Sequence, residues 1–551
     1  MKRLLFEVHR WGGIALALFM LLWFFSGLVI IYAEPTAPTR AQQLAHAESL
    51  KVDSAWLSAG EAWERSATQR KELAGAKSEK LPENKKAADK GGQQAGTSVP
   101  NQIVEAHLQI QAGVPLWLIE DSKGQRYALS AVDGTLHKTS SEQALLIAEN
   151  WVSKDGGGAA EGVRFVETED KPAIIRNQEA LRPFHRIAVE DGDGSELLIS
   201  ARTGEVVSAT TRTQRGFYWA GNWVHLFRPL DLAGWGESRV DVLTWTSFTI
   251  IAVILTGLIV GWIRWRPGFF GKKTYSEGRV HPYRHFWLKW HFWGGLIGGV
   301  LALTWGLSGF LSNNPWKLFS PANPSKEELV RYVGAEDQAL ARSWKPVPLN
   351  GNDTDVVELS WRRLGDETVE LAYTRDGQRQ LRTISGTATR FSDASVLAAV
   401  HRLAGDVPVK TQTLLQEYDS YYYLRYHRDV ADRPLPVVRV ELDDAAGTSL
   451  YIDPQDGRLL SRLDHSRRVY RWLYSALHHW DFGWLYQRPL WDTWMLTWVL
   501  LGLVLSVSGV VIGYTRLVNT FTFGRNKRTA SRDEDLQVVE PGRLATENQV
   551  S

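Results

Sequence analysis

The stretch His9-Arg10-Trp11-Gly12-Gly13 opens an apolar run that passes Ser26-Gly27, and His291-Phe292-Trp293-Gly294-Gly295 opens a second run that passes Ser308-Gly309 at the same spacing. Segments that share so much order read as copies, and a chain of 551 residues has room for two copies of one large unit. Each run is uncharged and long enough, at about 1.5 Å per helical residue, to cross a hydrocarbon core of about 30 Å. Two further apolar runs correspond in the same way, with Thr256-Gly257 in one matching Ser508-Gly509 in the other. The sequence therefore predicts four transmembrane helices, over residues 11–33, 242–263, 290–316 and 493–515. A cleaved signal peptide does not account for the first. Its apolar run is too long, and Tyr32-Ala33-Glu34-Pro35 lacks the small-x-small pattern of a cleavage site.

Lys and Arg (63) nearly balance Asp and Glu (61), and a net charge of +2 gives no bulk electrostatic reason for a nucleic-acid partner. The basic residues are nevertheless gathered. Between the second and third runs stand Arg264, Arg266, Lys272, Lys273, Arg279 and Arg284 against the single acid Glu277. Lys2 and Arg3 precede the first run, and Arg516, Arg525, Lys527 and Arg528 follow the fourth. By the positive-inside rule these flanks are cytoplasmic, both termini with them. The expected setting is the inner membrane of a bacterial cell, with residues 34–240 and 317–491 in the periplasm, 266–289 as a basic cytoplasmic loop and 516–551 as a cytoplasmic tail. Most of the 25 tryptophans lie beside the predicted spans, as an interfacial belt requires. Trp23 and Trp305 do not. They sit in mid-helix, where packing against a flat cofactor would explain them.

The outward segments repeat as well. Gly124-Gln125-Arg126 followed by Asp133-Gly134-Thr135 resembles Gly377-Gln378-Arg379 followed by Ser385-Gly386-Thr387. Ile199 to Val206 resembles Ile452 to Leu459, each a β-hairpin signature with glycine at the turn. The expected fold is α-helical in the membrane with two α+β domains outside it, the halves related by a pseudo-twofold axis along the membrane normal. Residues 67–100 are rich in Lys, Ala, Gly and Gln and lack aromatics, so they read as a disordered insertion in the first outer domain, and the tail after Thr529 reads alike.

No cysteine is present, which excludes disulfides, thiolate metal sites, cysteine-held iron–sulfur clusters and covalently attached c-type haem. Histidine is the remaining ligand. His9 corresponds to His291 by the duplication, and His225 in Trp223-Val224-His225 corresponds to His478 in Ala476-Leu477-His478. One imidazole pair is thus expected near each membrane face, as axial ligation of two noncovalent b-type haems requires. His479 competes with its neighbour His478 for the second site. His281 and His285 read as spare or supporting groups, and His478-His479-Trp480-Asp481 as a weaker zinc or copper alternative.

His-x-Trp-Gly-Gly opening a helix that ends near Ser-Gly, the two Gly-turn hairpins, and Leu477-His478 ahead of the last run together resemble the PepSY-associated transmembrane family. Within it the chain is similar to inner-membrane ferric-siderophore reductases. The resemblance implies two PepSY-like periplasmic domains, b-type haems on His9, His291, His225 and His478 or His479, and reduction of a ferric siderophore or another ferric chelate. Electrons would come from quinol or a cytoplasmic donor. The chain has no Gly-rich dinucleotide fingerprint. For the chelate, Tyr422, Arg425, His427 and Arg428 offer aromatic and cationic contacts, poorer in the counterpart around Phe184 and His185, although tyrosines packed into a strand explain the same residues. A non-enzymatic reading also stands: a membrane anchor whose outer domains inhibit a peptidase, or an accessory subunit of a transporter.

Overall fold

The computed structural model describes residues 2–79, 102–154, 162–175, 178–269, 271, 273–334, 339–346, 355–382, 390–424, 430–485 and 487–537. The chain divides into two compact units: Met1–Tyr32 with Trp219–Leu318 and Trp472–Ser551, and Ala33–Tyr218 with Phe319–Arg471.

The first unit holds four helices long and apolar enough to span a membrane: α1 (Lys2–Tyr32), α2 (Arg239–Arg264), α3 (Phe286–Ser312) and α4 (Leu490–Gln537). Each begins ahead of its predicted apolar run, because a helix continues into the polar flanks that composition alone excludes, whereas α3 ends at Ser312, short of the expected Trp316, before the left-handed turn at Asn314 and Trp316. α1 packs against α2 and α4, and α3 against the same two. Glycines bring these helices close, as small residues do in membranes. A Cβ on Gly12 would fall 2.6 Å from Val253 of α2, and one on Gly502 of α4 only 2.3 Å from the Phe24 ring. Gly294 faces the Leu505 backbone. Gly12 thus lets α1 approach α2, and Gly294 and Gly295 let α3 approach α4.

In the second unit, strands β1 (Ile103–Gln111), β2 (Val114–Asp121), β3 (Arg126–Ser130) and β4 (Leu136–His137) precede a helix, Ser141–Lys154, and then β5 (Val163–Glu169), β6 (Phe184–Val189), β7 (Glu196–Ser200) and β8 (Val206–Thr210). The second half repeats this with β9 (Val356–Leu364), β10 (Glu367–Thr374), β11 (Arg379–Arg382), the helix Asp393–Ala404, and β12 (Val409–Leu415), β13 (Val437–Leu442), β14 (Ser449–Ile452) and β15 (Leu459–Leu463). Both expected hairpins form. Gly204 and Gly457 turn them at φ of 74° and 69°, a region that glycine enters without a Cβ clash.

The halves are not separate. Among the described residues three antiparallel sheets form, and the largest of them runs β11-β10-β9-β1-β2-β3-β4, so that the equivalent strands β1 and β9 pair through Ala106 with Trp361 and Leu108 with Leu359. One seam joins two domains that the sequence presents as distinct. A core of Leu108, Trp117, Trp361, Trp63 and Trp344 covers one face of this sheet. On the opposite face Glu358 is fully buried, salt-bridged to Arg40 at 2.6 Å and bonded to His107 Nδ1 at 2.8 Å. Burial pushes the Glu358 carboxyl up, but the Arg40 and His107 cations prevail and hold it well below the usual carboxylate range. Glu358→Ala should destabilise this unit by about 3–5 kcal/mol at neutral pH, since it strands buried cations. A carboxyl depressed on folding stabilises above its unfolded pKa of about 4.3 and loses that contribution as pH falls. The thermal-unfolding gap between wild type and variant should therefore narrow as pH falls below about 4, and a gap constant through that range would contradict the assignment.

Two expectations of disorder fail. Ala67–Glu79 is a helix, anchored by Arg70, whose guanidinium lies 3.2 Å from the Trp63 ring centroid. Its Lys, Ala, Glu and Gln, which build no core, are good helix formers. Helix α4 continues past Thr529 to Gln537. Residues 80–101 and 538–551 lie outside the described residues.

Candidate functional site

The four duplicated histidines converge in two pairs within the membrane unit. His9 of α1 and His291 of α3 have ring centroids 6.2 Å apart, and His225 and His478 have theirs 6.3 Å apart. Two imidazoles facing each other across one metal, with bonds of about 2.0–2.1 Å and about 1.1 Å more from nitrogen to ring centre, stand about 6.3 Å apart.

Each ring presents Nδ1 to an oxygen. His225 Nδ1 meets Ser26 Oγ at 3.1 Å, His478 Nδ1 meets Ser308 Oγ at 2.9 Å, and His291 Nδ1 meets Ser508 Oγ at 3.2 Å. His9 Nδ1 meets the Val253 carbonyl at 3.2 Å. Each serine hydroxyl also has a carbonyl acceptor three residues back, Ser26 to Trp23, Ser308 to Trp305 and Ser508 to Leu505. With the hydroxyl proton directed to that carbonyl, the serine oxygen accepts from Nδ1–H, and the Val253 carbonyl can only accept from His9 Nδ1–H, which leaves the Nε2 lone pair available. That is the tautomer a metal requires, with the outer nitrogen anchored as in other imidazole sites.

Beside each of these oxygens is the glycine of the repeated Ser-Gly or Thr-Gly pair. A Cβ on Gly27 or Gly309 would lie 3.7 Å from Cε1 of His225 or His478, one on Gly509 3.5 Å from His291, and one on Gly257 only 2.6 Å from His9. These serines and glycines were visible in the sequence as marks of duplication. Their chemical role was not.

His225 and His478 are carried by short segments outside the four long helices. π-helical turns at Trp219–Trp223 and Arg471–Ala476 precede them, and Phe227 and Trp480, both at φ 53°, turn the chain sharply two residues after each. Trp23 and Trp305 hold these segments in place. Their indole nitrogens donate to the backbone carbonyls of His225 and His478, both at 3.1 Å. Trp305→Phe keeps an aromatic ring but removes the donor and part of the ring volume, and should cost about 1 kcal/mol for the hydrogen bond and more for the lost packing. The check is melting in detergent, where a midpoint equal to wild type would contradict the tether.

His479 does not join a pair. Its ring lies 5.3 Å from that of His478 and 5.4 Å from Tyr474, and it is exposed. His281 packs against Phe292 and Trp293, and His285 precedes α3. Among the described residues no group of three His, Cys, Asp or Glu side chains is placed to hold a metal ion, so the zinc or copper alternative finds no cluster there.

The expected chelate contacts fare differently. Tyr422 is fully buried, stacks on Tyr451 at 5.2 Å and donates to the Pro434 carbonyl at 2.8 Å. It offers no face to a ligand, because the Asp419 carboxylate accepts the Tyr421 and Tyr422 backbone N–H groups and folds the segment inward. Arg425, His427 and Arg428 lie outside the described residues. Phe184 and His185 are buried in β6.

Between α2 and α3 an apolar groove of about 630 Å³ is lined by Trp262, Trp265 and Trp293 with Leu258, Leu296 and Val300. Trp293 is two residues from His291.

The family model described as the PepSY-associated TM region matches residues 6–416, which takes in His9, His225 and His291 and stops short of His478. No curated protein matches the chain.

Proposed function

Because the chain belongs to the PepSY-associated TM family, we propose that it is a membrane oxidoreductase that binds two b-type haems and reduces a ferric chelate, such as a ferric siderophore, to release iron in the periplasm. The observation that carries this reading is the pairing of His9 with His291 and of His225 with His478 at ring-centroid separations of 6.2 and 6.3 Å, each ring anchored through Nδ1 to an oxygen. His9 with His291 and His225 with His478 would hold the haems, which would supply one-electron transfer.

The chain's own residues set the rest. Ser26, Ser308, Ser508 and the Val253 carbonyl orient the rings, and the glycines beside them leave space for each imidazole. Apolar helices exclude water from the path between the pairs. The basic flanks support a cytoplasmic side for the His9 and His291 end, where quinol or a cytoplasmic donor would supply electrons. The apolar lining of the α2–α3 groove suits the isoprenoid tail of a quinol. At the other end a Fe(III) chelate takes one electron. Hydroxamate and catecholate oxygens are hard donors that hold Fe(III) better than Fe(II), so the transfer loosens the iron.

The test is reoxidation. Protein reduced with dithionite and freed of excess reductant should recover its oxidised spectrum faster with a ferric hydroxamate than with buffer and air, and equal rates would remove ferric chelates as substrates.

A further inference from the structure

The seam between the two halves of the outer unit carries one titrating side chain at its centre. Strands β1 and β9 correspond at the spacing that relates His225 to His478, and they run antiparallel, so equivalent positions meet and His107 lies opposite Ser360. On the same face, two residues to either side, stand Glu105 and Gln109 of β1 with Glu358 and Arg362 of β9. Glu105 and Glu358 are equivalents, one from each half. His107 bonds both. Its Nε2 meets a Glu105 carboxylate oxygen, and its Nδ1 lies 2.8 Å from Glu358 Oε1. An ionised carboxylate only accepts, so both ring nitrogens must donate, and the ring that does so is the imidazolium.

We propose that His107 is a protonation-controlled latch across this seam: charged, it ties the Glu105 carboxylate of the first half to the Glu358 carboxylate of the second, and neutral, it lets one of them go. Loss of the proton turns a nitrogen lone pair toward a carboxylate where Glu358 is fully buried, and no water relieves the repulsion there. The ring keeps 18 % of its side chain exposed, which gives the proton an exit to solvent. The latch matters because the backbone ladder is short. It runs only from Ala106–Trp361 to Leu108–Leu359, less than either flanking ladder, so side chains carry more of the join.

The groups around the ring favour the charged form. Glu105 also pairs with Arg362, while Glu358 pairs with Arg40 of the Arg40–His46 helix at 2.6 Å and accepts from the Gln109 amide. Farther out, Arg126 of β3 and Arg458 of the β14–β15 turn act on Glu105, Tyr373 of β10 lies near Glu358 and Arg362, and Asp456 lies near Arg362. Burial opposes the charge on His107, but the two adjacent carboxylates outweigh it and raise the pKa. A histidine raised on folding stabilises fully below its unfolded pKa of about 6.5 and loses that contribution as pH rises through the folded value. Glu358 fails on the acid side and His107 on the alkaline side, so the seam is tightest between about pH 4 and the raised His107 value.

The experiment follows amide exchange and thermal unfolding of the full-length protein in detergent from about pH 6 to about pH 10, with exchange corrected for its intrinsic pH dependence. In the wild type, protection of the segments Ala106–Leu108 and Leu359–Trp361 should fall roughly tenfold as pH rises through the His107 transition, and the unfolding midpoint should fall with it. His107→Gln keeps one donor and does not titrate. Its seam protection should be lower at about pH 6 and flat with pH, so that the two proteins converge at the alkaline end. A gap that stays constant across the range, or convergence without a change in seam protection, overturns the latch. Glu105→Gln gives an independent reading if His107→Gln does not fold. It keeps the imidazole and removes one of its two carboxylates, and should move the transition toward acid by about one pH unit or more. A transition left at the wild-type pH overturns the proposal as well.

Discussion

His478→Ala in the full-length protein is expected to halve the haem recovered per chain, and His225→Ala to cause the same loss. On the proposed assignment each substitution would remove one of two paired ligands, leaving a single imidazole to hold the metal, since the two rings lie 6.3 Å apart. The two changes should not add, because they act on one site, whereas His478→Ala combined with His9→Ala should remove nearly all haem. His9→Ala and His291→Ala should form a second non-additive pair. The measurement is a pyridine haemochrome assay against protein concentration. Retention of both haems in His478→Ala, with loss in His479→Ala, would show that the pairing read from the 6.3 Å separation names the wrong ring.

Gly257→Ala should deplete the His9 and His291 haem and spare the other. Alanine is the better helix former, so α2 itself gains from the change. The added Cβ, however, would stand 2.6 Å from His9 Cε1, and this ring is held by the Val253 carbonyl rather than free to swing. Overpacking of this kind costs about 1–3 kcal/mol, which should weaken haem retention roughly tenfold or more. Gly27→Ala supplies the control. Its Cβ would lie 3.7 Å from His225 Cε1, an ordinary contact, and both haems should remain. Equal haem content in the two variants would remove the steric argument.

What the sequence revealed came mainly from its duplication, which acts as an alignment of the chain with itself. Recurrence of His9 as His291 and of His225 as His478 picked four rings out of fourteen histidines, and these four meet in pairs. Hydropathy located the spans but not their ends, since helix α1 begins at Lys2, ahead of its apolar run. The choice between His478 and His479 stayed open because adjacent residues share a pattern, and only the turn at Trp480 and the Ser308 hydroxyl separate their directions.

The rest was hidden for physical reasons. Trp23 and Trp305 each bond the backbone carbonyl of a paired histidine across the fold, a contact without a periodic signature. The β1–β9 seam joins strands far apart in the chain, so neither half shows it alone. Tyr422 carried the chemistry of a contact surface, but burial decides whether a tyrosine faces a ligand or a neighbour, and here it faces Tyr451. Residues Ala67–Glu79 were judged by what they lack for a core rather than by their helix propensity.

The central claim is that four imidazoles hold two haems, and the most direct measurement is the visible spectrum and haem content of the wild-type protein expressed with adequate haem. A Soret band, a sharp α-band on reduction and two b-type haems per chain are expected. Protein that folds into the membrane and binds no haem under those conditions would contradict the account.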